Sequence, residues 1–396
     1  MKLNILAMVL AGGEGTRLAP LTAERSKPAV PFGGRYRIVD FVLSSLLNSG
    51  IHSMYLLVQY KSQSLIEHIH NAWVLSPIIP DQFLRIVPPQ MREGPEWFLG
   101  TADAVYQNLN LIVTHTPDLV LVFGADHIYR MDVQQMIEFH RARQADVTVA
   151  ALPVPVSEAS SFGVLETEDD GRIVRFHEKP ENPKPMPSDP ERAFASMGNY
   201  IFNAELLVDE LKMAKERGDT DFGHHILPRL TDSRRLYAYD FSSNRVPGLR
   251  DYEEKSYWRD VGTLEAYFDA NQDILGLEPK FNLFNPRWPI YSSGYQGPVS
   301  KVVEGNIRNS ILGAGTLIKG ASLKNSIVRR EVVLEEDVEI EDCIIMDYTV
   351  VRRGARLKRV IVDRYNQIDP ADSIGFDRAA DERRFHVSPS GIVVIP

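Results

Sequence analysis

The chain has 396 residues, 44% apolar and 24% charged, with a formal net charge of −9. That length allows roughly two or three domains and a substantial core, and the acidic balance excludes a general nucleic-acid binder, so any nucleotide has to be held by a local basic site. The single cysteine, Cys343, excludes an internal disulfide and suits a reducing cytoplasm. Met1-Lys2-Leu3-Asn4 leads directly into an apolar run without a signal-peptide pattern, and no apolar stretch reaches about 18 residues, so a cytoplasmic protein away from membranes is expected.

Leu6 to Leu10 reads as a short buried strand. It runs into Gly12-Gly13-Glu14-Gly15-Thr16-Arg17, and an apolar strand entering a glycine-rich loop brings backbone N–H groups close to a phosphate. The loop is neither a Walker loop, which ends in Gly-Lys-Ser/Thr, nor a dinucleotide loop, because Leu18 stands where the third glycine belongs. Arg17, Arg25, Lys27, Arg35 and Arg37 follow against one acid, Glu24, a basic segment suited to triphosphates and sugar phosphates. Pro28 fixes the backbone just after Lys27.

Val39 to Asn48 has helical apolar spacing with Gly50 at its end, and Ser53 to Val58 reads as a strand. Thr101 to Val113 is read as one helix, Asp118 to Phe123 as a strand, Asp132 to Arg143 as a helix and Val147 to Leu152 as a strand. Apolar strands separated by amphipathic helices predict a mostly parallel sheet covered on both faces. Gly163 to Thr167 and Arg172 to His177 flank Asp169-Asp170-Gly171 as a hairpin. A strand over Ser196 to Asn203, a helix over Ala204 to Arg217 and a last helix over Thr263 to Leu275 follow. Glu278 to Pro298 reads as a linker. Beyond it, Ile311, Leu317 and Leu323 recur six apart with small residues between, the mark of a parallel β-helix whose coils share one core.

Asp126 follows Gly124-Ala125 at the carboxyl end of a strand, where α/β sheets bind ligands, and a carboxylate there suits Mg²⁺ beside phosphate. Asp260 is a second candidate, which could equally cap the following helix. His68 and His70 lie on different faces of one helix, and His224-His225 are adjacent, so these histidines read as structural.

Gly12 to Leu18, Ser26-Lys27-Pro28-Ala29-Val30, Gly100 to Ala104, Gly124 to Tyr129, Phe162-Gly163-Val164, Glu178-Lys179-Pro180, Ser196-Met197-Gly198 and Trp258 to Thr263 stand in this order. Together they resemble the bacterial ADP-glucose pyrophosphorylases (glucose-1-phosphate adenylyltransferases), nearly end to end. The resemblance implies an α/β, Rossmann-like nucleotidyltransferase domain over 1–277, a linker over 278–298 and a left-handed parallel β-helix over 299–396. It implies adenylyl transfer from ATP to glucose 1-phosphate with Mg²⁺, in a homotetramer regulated by anionic metabolites. By that resemblance the catalytic residues are Arg17, Lys27 and Asp126. Nucleotide contacts fall on Leu10, Ala11, Gly12, Gly13, Gly15, Thr16, Gln90, Trp97, Gly100 and Thr101. Phe98, Gly163, Glu178, Lys179, Ser196 and Asp260 fall around the sugar phosphate, Asp126 and Asp260 hold the metal, and Arg25, Arg37, Arg383 and Arg384 match the effector site.

The chain departs from the family at Glu14, often arginine, at Phe98, usually tyrosine, and at Glu24, a lysine in enteric members. An acid beside an anion site weakens it. Two alternatives stay open: a sugar nucleotidylyltransferase making UDP-glucose or GDP-mannose, and a non-catalytic regulatory subunit. The presence of Lys27, Asp126, Lys179 and Asp260 argues against the second.

Overall fold

The computed structural model describes residues 3–75, 81–91, 94 and 96–396, so Met1 and Lys2 lie outside it. The main sheet is mixed. Its main parallel part comprises β1 (Ile5–Ala11), β2 (Ser53–Val58), β3 (Phe83–Val87) and β4 (Leu119–Gly124), with β1 between β2 and β4. The long strand Arg192–Asn203 runs antiparallel to β4 and carries the rest of the sheet, including the expected hairpin of Gly163–Thr167 and Ile173–Glu178. Along β1, Ala7, Val9 and Ala11 face one apolar cluster while Leu6 and Met8 face another. Strand residues alternate faces, so a continuous apolar run means a sheet covered on both sides. The register pairs Leu10 with both Leu57 and Gly124, so three parallel strands end at one edge, where the glycine loop and Asp126 emerge.

The Val39–Asn48 helix ends where Gly50, at φ 74°, takes the left-handed conformation that lets its N–H reach Leu47 O at 3.0 Å. The helix expected over Thr101 to Val113 is two helices, Thr101–Tyr106 and Leu109–His115. At the break the Gln107 and Asn108 amides bond Asp103 Oδ2 and Ala104 O, and such local side-chain bonds compete with helix continuation. The last helix spans Leu264–Gln272, and its N-cap is Thr263, whose hydroxyl accepts from Ala266 N–H at 3.2 Å. Asp260 is therefore free for other work.

Beyond residue 299, three parallel ladders form the faces of the β-helix. One stacks Lys301–Val302, Leu317–Ile318, Val333–Leu334, Val350–Val351 and Gln367–Ile368, one coil above the next. Ile318, Leu334, Val351 and Ile368 point into the shared core. On another face, Ile327, Ile344 and Ile361 instead join an apolar cluster with Tyr267, Phe268 and Phe41 of the first domain. Their neighbours Val328, Ile345 and Val362 face inward. That is why this face reads as paired aliphatics rather than one per hexad: both of its sides are buried.

Residues 278–298 contain no helix or strand, yet much of the segment packs on the first domain, and Tyr295 donates to Glu331 of the β-helix. Phe281, Trp288 and Ile290 are buried. Ser292 Oγ donates to the fully buried Asp40, which also accepts from Trp73 Nε1 and lies 2.7 Å from His68 Nε2. Burial pushes Asp40 up, but His68 and these donors hold it below the usual carboxylate range. His68 thus serves the fold, as its sequence context suggested.

Two buried arginines join the domains. Arg329 donates to the carbonyls of Phe32, Gly33 and Tyr36 at 2.9, 2.6 and 3.1 Å and pairs with Asp347 at 3.2 Å. Arg25 makes a two-pronged bridge to Asp363 at 2.9 and 2.8 Å.

Candidate active site

A cavity of about 610 Å³ opens at the carboxyl edge of the parallel strands. Of the residues singled out from the sequence, Leu10, Ala11, Gly12, Gly13, Gly15, Thr16, Arg17, Lys27, Phe98, Gly100, Thr101, Asp126 and Glu178 line it. The glycine loop forms one wall and closes on itself. Gly15, at φ 66°, accepts from Leu18 N–H and Thr22 Oγ1 at 3.0 Å each. A methyl at Gly15 would meet Lys27 Cβ at 2.8 Å. Gly15→Ala therefore forces a positive φ costing about 1–2 kcal/mol and pushes Lys27 aside. We expect a lower melting temperature together with at least a tenfold loss of kcat/KM; thermal unfolding and initial rates check this.

At the cavity floor, Lys27 Nζ sits 3.0 Å from Asp126 Oδ2 and 2.8 Å from Asp260 Oδ1, its side chain only 7% exposed. Burial alone pulls the Lys27 pKa down, but the two carboxylates outweigh it and leave it raised. Burial pushes Asp126 up, and His127 and Lys27 bring it well below the usual carboxylate range. Arg17 reaches the same place. A methyl at Gly262 would lie 3.1 Å from both its guanidinium and Asp260 Oδ1.

His127 is the residue of this cluster that sequence reasoning passed over. Its Nε2 lies 3.6 Å from Asp126 Oδ1 and 3.9 Å from Asp260 Oδ1. One ligand atom each from Asp126, His127 and Asp260 falls within 4.8 Å of the others, a donor set able to hold a divalent cation. The fit lies in the convergence of two carboxylates on one point, Asp126 from the bend after β4 and Asp260 from the strand Trp258–Asp260, with a ring nitrogen beside them. The sequence signal was there: His127 directly follows Asp126 on a short strand, His127–Tyr129, that pairs antiparallel with Trp258–Asp260. This pairing, 133 positions across the chain (260 minus 127), brings the two aspartates together.

On the opposite wall, Glu178 is seated between two glycines. Its Oε2 would lie 2.9 Å from a methyl at Gly163 and 2.7 Å from one at Gly223. Asp221, Gly223 and Tyr200 line this wall as well, and the sequence reading did not select them. Asp221 precedes a wide, π-helical turn, Phe222–Ile226, and caps it by accepting from Gly223 and His224 N–H. Lys179 points outward, 60% exposed and 3.7 Å from Glu178 Oε1. Ser196 Oγ accepts from Gly198 N–H at 3.2 Å, holding the turn beside the cavity. Gln90 and Trp97 stand outside the lining, as do Gly163, Lys179, Ser196 and Asp260; Gln90 bonds Pro88 O, and Trp97 is half-exposed.

The four arginines assigned to an effector divide into two places. Arg25 and Arg37 lie between the domains near Arg329 and Arg364, where burial, then Arg364 and Arg329, pull Arg37 down to about 9. Arg384 is at the far end of the β-helix, bridged to Asp372 at 2.9 and 2.6 Å, with Arg383 exposed beside it.

A glycine-loop wall, a lysine clasped by two aspartates and an acidic wall share this cavity, the layout of a nucleotidyl transferase. The family model of that description matches residues 6–276, and one for the GlmU-like C-terminal hexapeptide matches 299–395. The chain belongs to the glucose-1-phosphate adenylyltransferase family. It is 55% identical to the glucose-1-phosphate adenylyltransferase of Thermodesulfovibrio yellowstonii, over 99% of this chain and 96% of that protein. It is 49% identical to that of an Anaeromyxobacter species, covering 99% and 98% of the two chains, and 46% identical to that of Thermus thermophilus, covering 100% and 99%.

Proposed function

We propose that the chain transfers the adenylyl group of ATP to the phosphate of α-D-glucose 1-phosphate, releasing pyrophosphate and forming ADP-glucose, the committed step toward glycogen. One observation carries the reading: Lys27 Nζ lies between Asp126 and Asp260 on the floor of a single cavity. One wall of that cavity suits a triphosphate and the other suits sugar hydroxyls. The full-length relatives of that name support it.

In this reading the backbone of Gly12 to Gly15 faces the nucleotide, with Leu10, Ala11, Thr16, Gly100 and Thr101 around it. Arg17 and Lys27 hold the phosphates as the sugar phosphate oxygen attacks the α-phosphorus in line. Asp126 and Asp260 hold a cation, Mg²⁺, which when bound neutralises charge on the phosphate oxygens. Glu178 accepts from sugar hydroxyls, with Gly163, Ser196 and Phe98 close by, and the outward Lys179 takes the sugar's phosphate. Gln90 and Trp97 are assigned to the nucleotide by resemblance alone. No carboxylate here needs to act as a nucleophile, because the attacking oxygen arrives with the substrate.

Arg25, Arg37, Arg383 and Arg384 are proposed to serve an anionic effector. The crowding of Arg37 by Arg364, Arg329 and Arg25 supports this, since guanidiniums that depress one another gain by sharing an anion. A homotetramer is proposed as well. The first coil of the β-helix leaves Val299 and Val303 largely exposed, and burial against another copy would cover them. A cytoplasmic setting completes the reading; among the described residues no helix is long and apolar enough to cross a membrane.

The test is pyrophosphate release from ATP, UTP and GTP, each with glucose 1-phosphate. ATP is expected to be preferred at least tenfold in kcat/KM. A preference for UTP or GTP overturns the assignment, and no turnover with any of them favours a regulatory subunit.

A further inference from the structure

The corner at Thr220 and Asp221 joins the two walls of the cavity. The Thr220 carbonyl accepts from Ala102 and Asp103 N–H, at 2.9 and 3.0 Å, at the start of the Thr101–Tyr106 helix. It passes so near Gly100 that a methyl there would meet it at 2.4 Å. Asp221 Oδ2 accepts from Thr101 Oγ1 at 2.8 Å, and that hydroxyl accepts from Phe222 N–H at 3.0 Å. The N–H groups of Thr220 and Asp221 themselves both donate to one atom, His225 Nδ1, at 3.2 and 3.1 Å. Two backbone donors require a lone pair, so Nδ1 is unprotonated and the ring's proton is on Nε2. An imidazolium, with both nitrogens protonated, accepts neither bond.

We propose that neutral His225 is a positioning residue for the reaction. By holding the Thr220–Asp221 corner, it keeps the Asp221 carboxylate and the Gly100–Thr101 edge where the substrates meet them. That Asp221 faces the sugar phosphate rests on the functional reading above; the clamp itself does not. The charged groups around the ring are Asp221, Asp219 with its partner Arg229 at 2.7 Å, and His224, whose ring centre lies 6.2 Å away. Across Gly223 stands Glu178, and Asp103 is on the adjoining helix. Protonation of His225 breaks both bonds to the corner, and Asp221 loses its placement.

The experiment follows KM for glucose 1-phosphate, KM for ATP and kcat from neutral to mildly acidic pH in the wild type, His225→Asn and His225→Phe. Amide hydrogen exchange of Thr220 and Asp221 is measured on the same proteins without substrate. The asparagine Oδ1 can take the place of Nδ1 and does not titrate. We expect the sugar-phosphate KM of the wild type to rise roughly tenfold on acidification relative to His225→Asn, the change of one hydrogen-bonded corner. His225→Phe should show the raised KM at every pH, with kcat changed less than about twofold and both amides exchanging rapidly. Matching pH profiles for the wild type and His225→Asn, or slow exchange in His225→Phe, overturn the proposal. A chain that never turns over glucose 1-phosphate overturns the functional reading instead, and the exchange data then decide on His225 alone.

Discussion

Lys27→Ala lowers kcat/KM by roughly three orders of magnitude, the scale at which a preorganised charge at a reacting phosphate acts. The expectation comes from position. Lys27 Nζ is the cation set between Asp126 and Asp260, within 3.0 Å of both, on a side chain almost closed to solvent. Removing it deprives the phosphates of a donor and also leaves two carboxylates facing each other across the floor. Lys27→Arg should recover little. The guanidinium is a planar fork rather than a point charge, and the Lys27 Cβ has no room to shift, because Gly15 already stands where even a methyl would be 2.8 Å away. Steady-state rates with both substrates varied check this; a Lys27→Ala enzyme within about tenfold of wild type would remove Lys27 from the chemistry.

Arg329→Ala has the largest expected effect on stability, about 3–5 kcal/mol, because it strands a buried partner. Asp347 loses its main counter-charge, and three carbonyls, those of Phe32, Gly33 and Tyr36, lose their donor. Burial pushes Asp347 up, and Arg329, then Arg330, hold it below the usual carboxylate range. The variant exchanges that arrangement for an uncompensated charge at the junction of the domains. Urea unfolding is the measurement. The wild-type midpoint should stand well above that of the variant, while Arg384→Ala, which breaks a half-exposed bridge to Asp372, should move it by less than about 1 kcal/mol.

What could be read from the sequence had local chemistry. The glycine loop was visible because glycine and arginine at a strand end have few other uses, and Lys27, Asp126, Glu178 and Lys179 each sat beside a glycine, a proline or a strand terminus. The helix over Val39–Asn48 and its stop at Gly50 follow from spacing and a left-handed glycine. The hexads announced the β-helix, because each coil repeats the same inward position. Long-range pairing was not legible. Arg25 meets Asp363 across 338 residues, and Arg329 meets the Phe32 carbonyl across 297. No periodicity encodes such partners, so Arg25 appeared only as part of a basic run. Asp221 was hidden because its carboxylate doubles as a helix cap, an ordinary role from sequence. His127 stands inside a motif without a signal of its own, since a histidine beside an aspartate gains meaning only once Trp258–Asp260 pairs against it.

The central claim is that one cavity joins the two substrates directly, with the chain's residues placing and neutralising the phosphates and forming no bond to them. A single-turnover quench tests it most directly, with enzyme in excess over ATP labelled at the α-phosphate and glucose 1-phosphate present. The account predicts that label leaves ATP and arrives in ADP-glucose with one rate constant, with no labelled protein at any time. Label that appears first on the protein, or in free AMP, would contradict it.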